Sequence, residues 1–471
     1  MMSGRTARWS GRVLLVILLA SLALVTSWGL TRDVRKHPDA VPAPVAVPAA
    51  LARLGAPASG AEAVTGAKTG SGTGTEPRAA AVAAAIRPYL HASAIGPRLR
   101  ARVVDAVTGD VLFDDSGSAP AAPASTAKLM TAAAVLTVHA PTDRFRTRVA
   151  LAPGGTVVLI GGGDPTLTAA ATGHAGAYPD AARLATLAAD VRAQHVHVTR
   201  VVVDDALFAG PSTSPAWAPE DVPSSYASGI TAFLADGGRA APSDDIRSAT
   251  PDLDAAREFA ALLGDRGLPV ARGARPAGAK VVGTVSSAPL TELIEQMLQT
   301  SDNVIAEVLA RQVAVAEHDP ATFTGAARAI RDVLGRLHIA VGGGMVDGSG
   351  LAAGDRVAPS TLVALLRLVA GQTGPASAAQ LRTIVAELPV SGWSGTLAYR
   401  YATGAARSAA GVVRAKTGSL TGVTSLAGYV HDSSGRLLIF SLDADRTPGS
   451  TAAAEAALDR IVTALAGCGC S

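Results

Sequence analysis

Pro123-Ala124-Ser125-Thr126-Ala127-Lys128 opens an apolar run that extends to Val138. A proline just ahead of such a run is a helix start signal. Ser125 and Lys128 therefore stand at i and i+3 near a helix N-terminus, on one face and within reach of each other. Two further stretches belong with this one. Ser301-Asp302-Asn303 follows an amphipathic helical run over residues 288–298 and holds the only asparagine of the 471 residues. Lys416-Thr417-Gly418 follows the strand-like run Gly411-Val-Val-Arg-Ala415 and precedes Ser419. The chain has five lysines, Lys128 and Lys416 among them, and its other basic residues are almost all arginine. An ammonium can be tuned to lose its proton and act as a base, which a guanidinium cannot.

Taken singly, each stretch has a plain structural reading: a helix start, a helix cap and a strand-end turn. Taken together they supply a reaction. Serine is a weak nucleophile at neutral pH and needs an adjacent base. Lys128 serves if burial or a second cation destabilises its ammonium, and Lys416 is that second cation. The helix start gives Ser125 exposed N–H groups and a dipole that favours developing negative charge. Ser301 can relay a proton between the base and a leaving amine. Asn303 carries both a donor and an acceptor for a substrate amide. On an edge strand, Gly418 lets a substrate backbone approach closely, so that a peptide adds by strand pairing. Lys416 and Thr417 can bind a terminal carboxylate, and the Ser419 N–H with that of Ser125 can form an oxyanion hole.

S-x-x-K, S-D-N and K-T-G in this order resemble the signature of penicillin-binding proteins and serine β-lactamases. The intervals discriminate between them: Ser125 to Ser301 is 176 residues, and Ser301 to Lys416 is 115. Class A β-lactamases share the motif set but have a far shorter first interval. The chain is similar to the PBP4-type D-alanyl-D-alanine carboxypeptidases/endopeptidases, the S13 peptidase family, which carry an extra domain there. The resemblance covers residues 79–465 and includes Gly161-Gly-Gly-Asp-Pro-Thr-Leu167, Asp204-Asp-Ala-Leu-Phe208, Asp236-Gly-Gly-Arg239, Asp347-Gly-Ser-Gly-Leu351 and Trp393-Ser-Gly-Thr-Leu397. Read from their residues, these last stretches are structural turns.

The resemblance implies an α/β (α+β) fold. It would have a β-lactamase/transpeptidase-like domain, an antiparallel sheet flanked by helices, and an inserted, largely β accessory domain. It implies that Ser125 is the acylated nucleophile, Lys128 its base and Ser301 the proton relay. Asn303, Lys416, Thr417, Gly418 and Ser419 would bind substrate. The implied reaction is serine-type D-Ala-D-Ala carboxypeptidase action on peptidoglycan stem peptides, with DD-endopeptidase action as a second expectation. β-Lactams would inhibit it, and it would need neither cofactor nor metal.

Composition fits a large exported protein. Hydrophobic residues make up 48% and charged residues 17%, so a sizeable core is available. Aromatics are only 4%, so that core is built mainly from Ala, Val and Leu. A net charge of +3, without a basic stripe, excludes a nucleic-acid binder. Arg5, Arg8 and Arg12 precede an apolar run over residues 13–28, which reads as a membrane anchor or signal peptide. The expected organisation is therefore anchor or signal 1–30, Ala/Pro/Gly-rich linker 31–78, catalytic domain 79–145 and 285–467, and inserted domain 146–284, all but the first working outside the cytoplasm. Lys68-Thr69-Gly70-Ser71 repeats the third motif's letters but lies in the linker. Cys468 and Cys470 are expected as thiols on a frayed tail, because a bridge within C-x-C would be strained. His195 and His197 are expected to alternate along a strand over residues 196–204. H-E-x-x-H and G-x-S-x-G are both absent.

Two rival readings remain: a β-lactamase-like hydrolase, which needs a second base that no motif supplies, and a catalytically silent wall scaffold. The base assignment carries its own test. Lys128→Arg keeps the charge but cannot accept a proton. Intact-mass measurement after incubation with benzylpenicillin is expected to show no adduct on this variant, and full acylation would refute Lys128 as the base.

Overall fold

The computed structural model describes residues 74–371 and 376–470. The apolar run 13–28 and the Lys68-Thr69-Gly70-Ser71 stretch lie outside them. Among the described residues no helix is long and apolar enough to cross a membrane.

Helix α1 (Ala79–Ile86) leads into strands β1 (Arg98–Asp105) and β2 (Val111–Asp115), joined by a tight turn. Helix α2 (Lys128–Val138) follows. The strands β10 (Val413–Leu420), β11 (Val423–His431) and β12 (Leu437–Asp445) come some three hundred residues later yet complete the same sheet. Its order is β10-β11-β12-β1-β2, five strands, and all of its pairs are antiparallel. Arg98 lies opposite Asp445, and Asp105 opposite Leu438. Alternation along β12 serves two cores. Ile439 joins one hydrophobic cluster and Phe440 the other, as period-2 side chains require when both faces of a sheet are covered. Under one face lie α1 and α10 (Thr451–Ala466), with Ile86, Leu458 and Ile461. Under the other lie α2, α6 (Asn303–Ala316), α7 (Phe323–Arg336) and α8 (Pro359–Val369).

A second sheet forms within residues 146–286 from β3 (Arg146–Ala152), β4 (Thr156–Ile160), β5 (Arg200–Asp204), β6 (Val270–Arg272) and β7 (Lys280–Ser286). Its order is β6-β5-β4-β3-β7, with β4-β5 and β5-β6 parallel and the other pairs antiparallel. Helices α3 (Leu184–Arg192) and α4 (Pro251–Leu263) bury their apolar faces on it. Pairing of β3 with β7 brings the two ends of the segment together, and α5 (Leu290–Thr300) follows directly. A two-stranded ribbon, β8 (Gly343–Gly344) with β9 (Arg356–Val357), brackets the Asp347–Leu351 stretch. Helix α9 (Thr383–Glu387) precedes β10.

Two expectations need correction. The strand expected over residues 196–204 is confined to β5, and His195 and His197 precede it in a turn and a connection. Thr199 donates its N–H to the Gly155 carbonyl and its hydroxyl to the Gly154 carbonyl, so the connection is tied to the hairpin below and not to a ladder. The C-terminal tail is packed. Cys468 and Cys470 are paired with Cα atoms 5.0 Å apart, within reach of a disulfide, and the Cys470 carbonyl accepts from the Arg78 N–H at 2.6 Å. Helix α4 stops at Leu263, where Gly264 adopts the left-handed conformation of a C-cap.

One buried ion pair joins the first sheet's turns. Arg436 donates to both oxygens of Asp105, at 2.6 and 3.0 Å, and Asp105 also accepts from the N–H groups of Val107 and Thr108. Arg436→Met strands a fully buried carboxylate. It is expected to cost about 3–5 kcal/mol in urea unfolding, and a loss under about 1 kcal/mol would show that the pair is dispensable.

Candidate active site

Residues 124–127 form a 3-10 turn, and the α-helix proper starts at Lys128. Residues three apart eclipse in a 3-10 turn, which sets the Lys128 Nζ 2.9 Å from the Ser125 Oγ. Ala124 just before it sits at φ 46°, a conformation that costs a non-glycine residue energy and has to be imposed by its surroundings. The Asp347–Leu351 loop packs directly against Ala124. A Cβ on Gly350, itself at φ +78°, would stand 1.9 Å from the Ala124 carbonyl oxygen, so only glycine lets the two backbones touch.

Lys128 is fully buried and its three ammonium donors are all engaged. Besides Ser125 they reach the Asn303 Oδ1 at 2.6 Å and the Ser349 carbonyl at 2.8 Å. Burial lowers its pKa to about 8, against the opposing pull of Asp347, Glu307, Asp302 and Asp355. Lys416 is also fully buried and donates to the Ser301 Oγ at 2.9 Å and the Thr417 carbonyl at 2.8 Å. Burial, the charge of Lys128 and that of Arg400 push it well below the ordinary lysine range. Ser301 closes α5 in the left-handed conformation, φ 59° and ψ 34°. Asp302 caps α6, accepting from the N–H groups of Val304 and Ile305. The break between these two helices puts Ser301 towards one lysine and Asn303 towards the other.

Strand β10 is the edge of its sheet. The Ala415 N–H points outward to the Pro389 carbonyl at 3.0 Å. By the antiparallel alternation, the backbone groups of Thr417 and Ser419 also face outward, away from β11. Gly418 is required for a reason other than the one expected. A Cβ there would lie 2.2 Å from the Ser425 Oγ, 2.8 Å from the Pro123 carbonyl and 2.9 Å from the Ser125 N. The close approach is thus made by the protein's own nucleophile turn. All eight residues singled out in the sequence meet here. Ser125, Ser301, Asn303, Thr417 and Ser419 line a cleft of about 710 Å³, with both lysines buried beneath it.

A model of the D-Ala-D-Ala carboxypeptidase 3 (S13) family matches residues 82–244 and 240–466. The chain belongs to that family. It is a serine-type D-Ala-D-Ala carboxypeptidase, a cell-wall enzyme acting outside the cytoplasm. A carboxypeptidase of Mycobacterium tuberculosis is 40% identical over 85% of this chain and 86% of that protein. The carboxypeptidase DacB of Mycolicibacterium smegmatis is 39% identical over 99% of each. The solved penicillin-binding protein 4 of Haemophilus influenzae shares the fold with TM-score 0.66 at 21% identity, over 81% of this chain and 97% of that one. A second structure of that protein, complexed with a β-lactam, gives a TM-score of 0.58 at 20% identity, over 77% and 94%.

Several residues of this S13 site escaped the sequence reading. The Ser349 carbonyl that grips Lys128 lies in a stretch read as a turn. Glu307, fully buried, accepts from the Gly348 and Ser349 N–H groups at 3.0 and 2.7 Å and so holds that carbonyl in place. Burial and the nearby Asp347 push Glu307 up, to about 8. Its signal was available: a lone acid inside an apolar helix, four residues after Asn303 and on the same face. The Asn303 amide donates to the Tyr226 carbonyl at 3.1 Å, and the Thr417 hydroxyl to that of Thr396 at 2.9 Å. No motif spacing announces either.

Two outcomes test the geometry. Lys128 must be neutral to accept a proton, so benzylpenicillin acylation is expected to rise with pH through about 8 and to fall below it. A rate flat from pH 6 to pH 9 would contradict this. Gly418→Ala forces the strand off the nucleophile turn and is expected to slow acylation by about tenfold or more, read by stopped mixing and mass.

Proposed function

We propose that this S13 enzyme removes the terminal D-alanine from peptidoglycan stem peptides through an acyl-enzyme on Ser125, with Lys128 as its base. The observation that carries this reading is the position of one fully buried ammonium 2.9 Å from the Ser125 hydroxyl and 2.6 Å from the Asn303 amide oxygen. Neutral Lys128 takes the Ser125 proton as Oγ attacks the carbonyl of the penultimate D-alanine. The N–H groups of Ser125 and Ser419 receive the oxyanion. Collapse breaks the C–N bond, and the departing amine takes the proton, passed from the lysines through the Ser301 hydroxyl. Water then attacks the ester, yielding the shortened stem and free Ser125. Asn303 and the outward edge of β10 at Thr417 and Ser419 hold the peptide, with Gly418 seating that edge against the nucleophile turn.

Electrostatics support a division of labour between the lysines. Lys128 faces four carboxyl groups that favour its charged form, whereas burial and two cations disfavour the charge on Lys416. A substrate carboxylate arriving beside Lys416 stabilises its ammonium. That second charge in turn favours neutral Lys128, so binding arms the base. Endopeptidase action needs no new chemistry, since the same carbonyl is attacked and only the leaving amine differs, belonging to a neighbouring stem. β-Lactams present an equivalent carbonyl and are read as inhibitors.

Residues 146–284 are read as the accessory domain inserted into the catalytic one, and residues 13–28 as a membrane anchor. Incubation with benzylpenicillin followed by peptide mapping is expected to place a persistent adduct on Ser125, and a synthetic peptide ending in D-Ala-D-Ala is expected to release D-alanine. Antibiotic hydrolysed without an adduct would favour the β-lactamase reading. Intact antibiotic and no adduct would favour the silent scaffold.

A further inference from the structure

Arg247 belongs to none of the three motifs, yet it reaches into the middle of the second. It comes from the connection between β5 and α4 and donates to both oxygens of Asp302, at 2.7 and 3.2 Å. The Tyr178 hydroxyl, from the connection between β4 and α3, donates to Asp302 Oδ2 at 2.8 Å. All three side chains are buried, with 5%, 5% and 6% exposure for Arg247, Asp302 and Tyr178. Behind them the Asp236–Arg239 stretch closes the assembly. Arg247 donates to the Gly237 carbonyl at 3.1 Å, and Arg239 donates to the Tyr178 hydroxyl at 3.1 Å and the Asp236 carbonyl at 3.0 Å. The Asp236 carboxylate is itself fixed by the Thr168 hydroxyl and the Ala169 and Ala177 N–H groups.

This is costly architecture for stability alone. A buried ion pair is often replaceable by apolar side chains without loss, and its better-attested value is in specifying one arrangement. Asp302 is the place where specification counts. It separates Ser301 from Asn303, and one of its carboxylate oxygens also caps α6. Its fixed carboxylate therefore anchors the backbone between the residue that meets Lys416 and the one that meets Lys128. A second tie from the same segment, Tyr226 carbonyl to Asn303 amide, acts on the other side of the same junction. Burial would raise Asp302, but the Arg247 guanidinium overrides it and holds the carboxyl well below the usual range, so the pair stays charged throughout the working range.

We propose that Arg247, with Tyr178, is a positioning residue for the acylation reaction: it clamps Asp302 so that Ser301 meets Lys416 and Asn303 meets Lys128. The segment that carries the second sheet is thereby a working part of the active site. This rests on the reading of Ser125 as the acylated nucleophile.

The test is steady-state D-alanine release and benzylpenicillin acylation by the full-length protein, with thermal melting recorded for every variant. Arg247→Gln is expected to lower kcat and the acylation rate about 10- to 100-fold, the size of effect that a misplaced catalytic group produces, while KM changes little. Arg247→Lys is expected to recover most of the loss. Arg247→Gln combined with Asp302→Asn is expected to be no slower than the slower single variant, because the second change removes the stranded charge. A merely structural pair would show this coupling in melting temperature and none in kcat. Should Arg247→Gln fail to fold, Tyr178→Phe, which keeps the ion pair, decides the matter by a lowered kcat at unchanged melting. Folded Arg247→Gln, or in its place Tyr178→Phe, with a kcat within about twofold of wild type would overturn the proposal. If the wild-type protein itself takes no adduct on Ser125, the failure lies in the nucleophile reading. A normal wild-type adduct with undisturbed variants places the failure in the clamp.

Discussion

Two lysine side chains, both withdrawn entirely from solvent, occupy adjoining positions under one cleft, and the rest of the molecule is arranged to make that tolerable. Burying an ammonium is expensive unless it is paired or loses its proton. Lys128 has both remedies at hand: three oxygen acceptors at hydrogen-bonding distance and a group of carboxyls below. Lys416 has two oxygen acceptors and cationic neighbours. The pair is therefore a proton store with one side better solvated by protein than the other. Chemistry that moves a proton between a hydroxyl and an amine needs such an imbalance.

The supporting structure follows from this. Helices α2 and α6 are buried along nearly their whole lengths, as only apolar sequences allow, so the two side chains they deliver cannot shift independently. Where their polar groups emerge, neighbouring backbone is brought close enough that glycine is compulsory. At Gly350 the loop touches the nucleophile turn, and at Gly418 the edge strand does. Contact at backbone distance is a stiffer coupling than any side-chain packing, because neither partner has a rotamer to change.

Much of this was legible in the sequence, and the remainder was not, for physical reasons. Spacing of three along a helical start announced the Ser125–Lys128 pair, and residue rarity singled out Asn303. The strand position of Lys416 followed from the short β-like run before it, while its place at the sheet edge did not. What escaped was chiefly backbone. The carbonyls of Ser349 and Tyr226 carry no side-chain identity, so a one-dimensional pattern cannot signal them. Strands β3 and β7 were missed because arginine and lysine, with glycine in β7, dilute their alternation, whereas α7 was legible from Phe323, Ala327, Ile330 and Leu334 at helical spacing and was overlooked. Residues 196–199 misled in the opposite direction. Their β-branched letters are strand-like, but hydrogen bonds from Thr199 to the glycines at 154 and 155 draw the backbone elsewhere. Arg247 and Tyr178 lay in stretches without periodicity, where nothing distinguishes a structural arginine from one aimed at a motif.

Strand β1 lies between β2, its immediate successor in sequence, and β12, which is made more than three hundred residues later. Synthesis from the N-terminus thus makes Ser125 and Lys128 long before the partner strand of β1. Contacts of such long sequence separation form late and slowly. The nucleophile turn is thus incomplete until β10, made near the end of the chain, packs against it. Any chain cut short before residue 413 would carry the reactive serine without the strand that makes it useful, so truncation silences the enzyme instead of loosening its control.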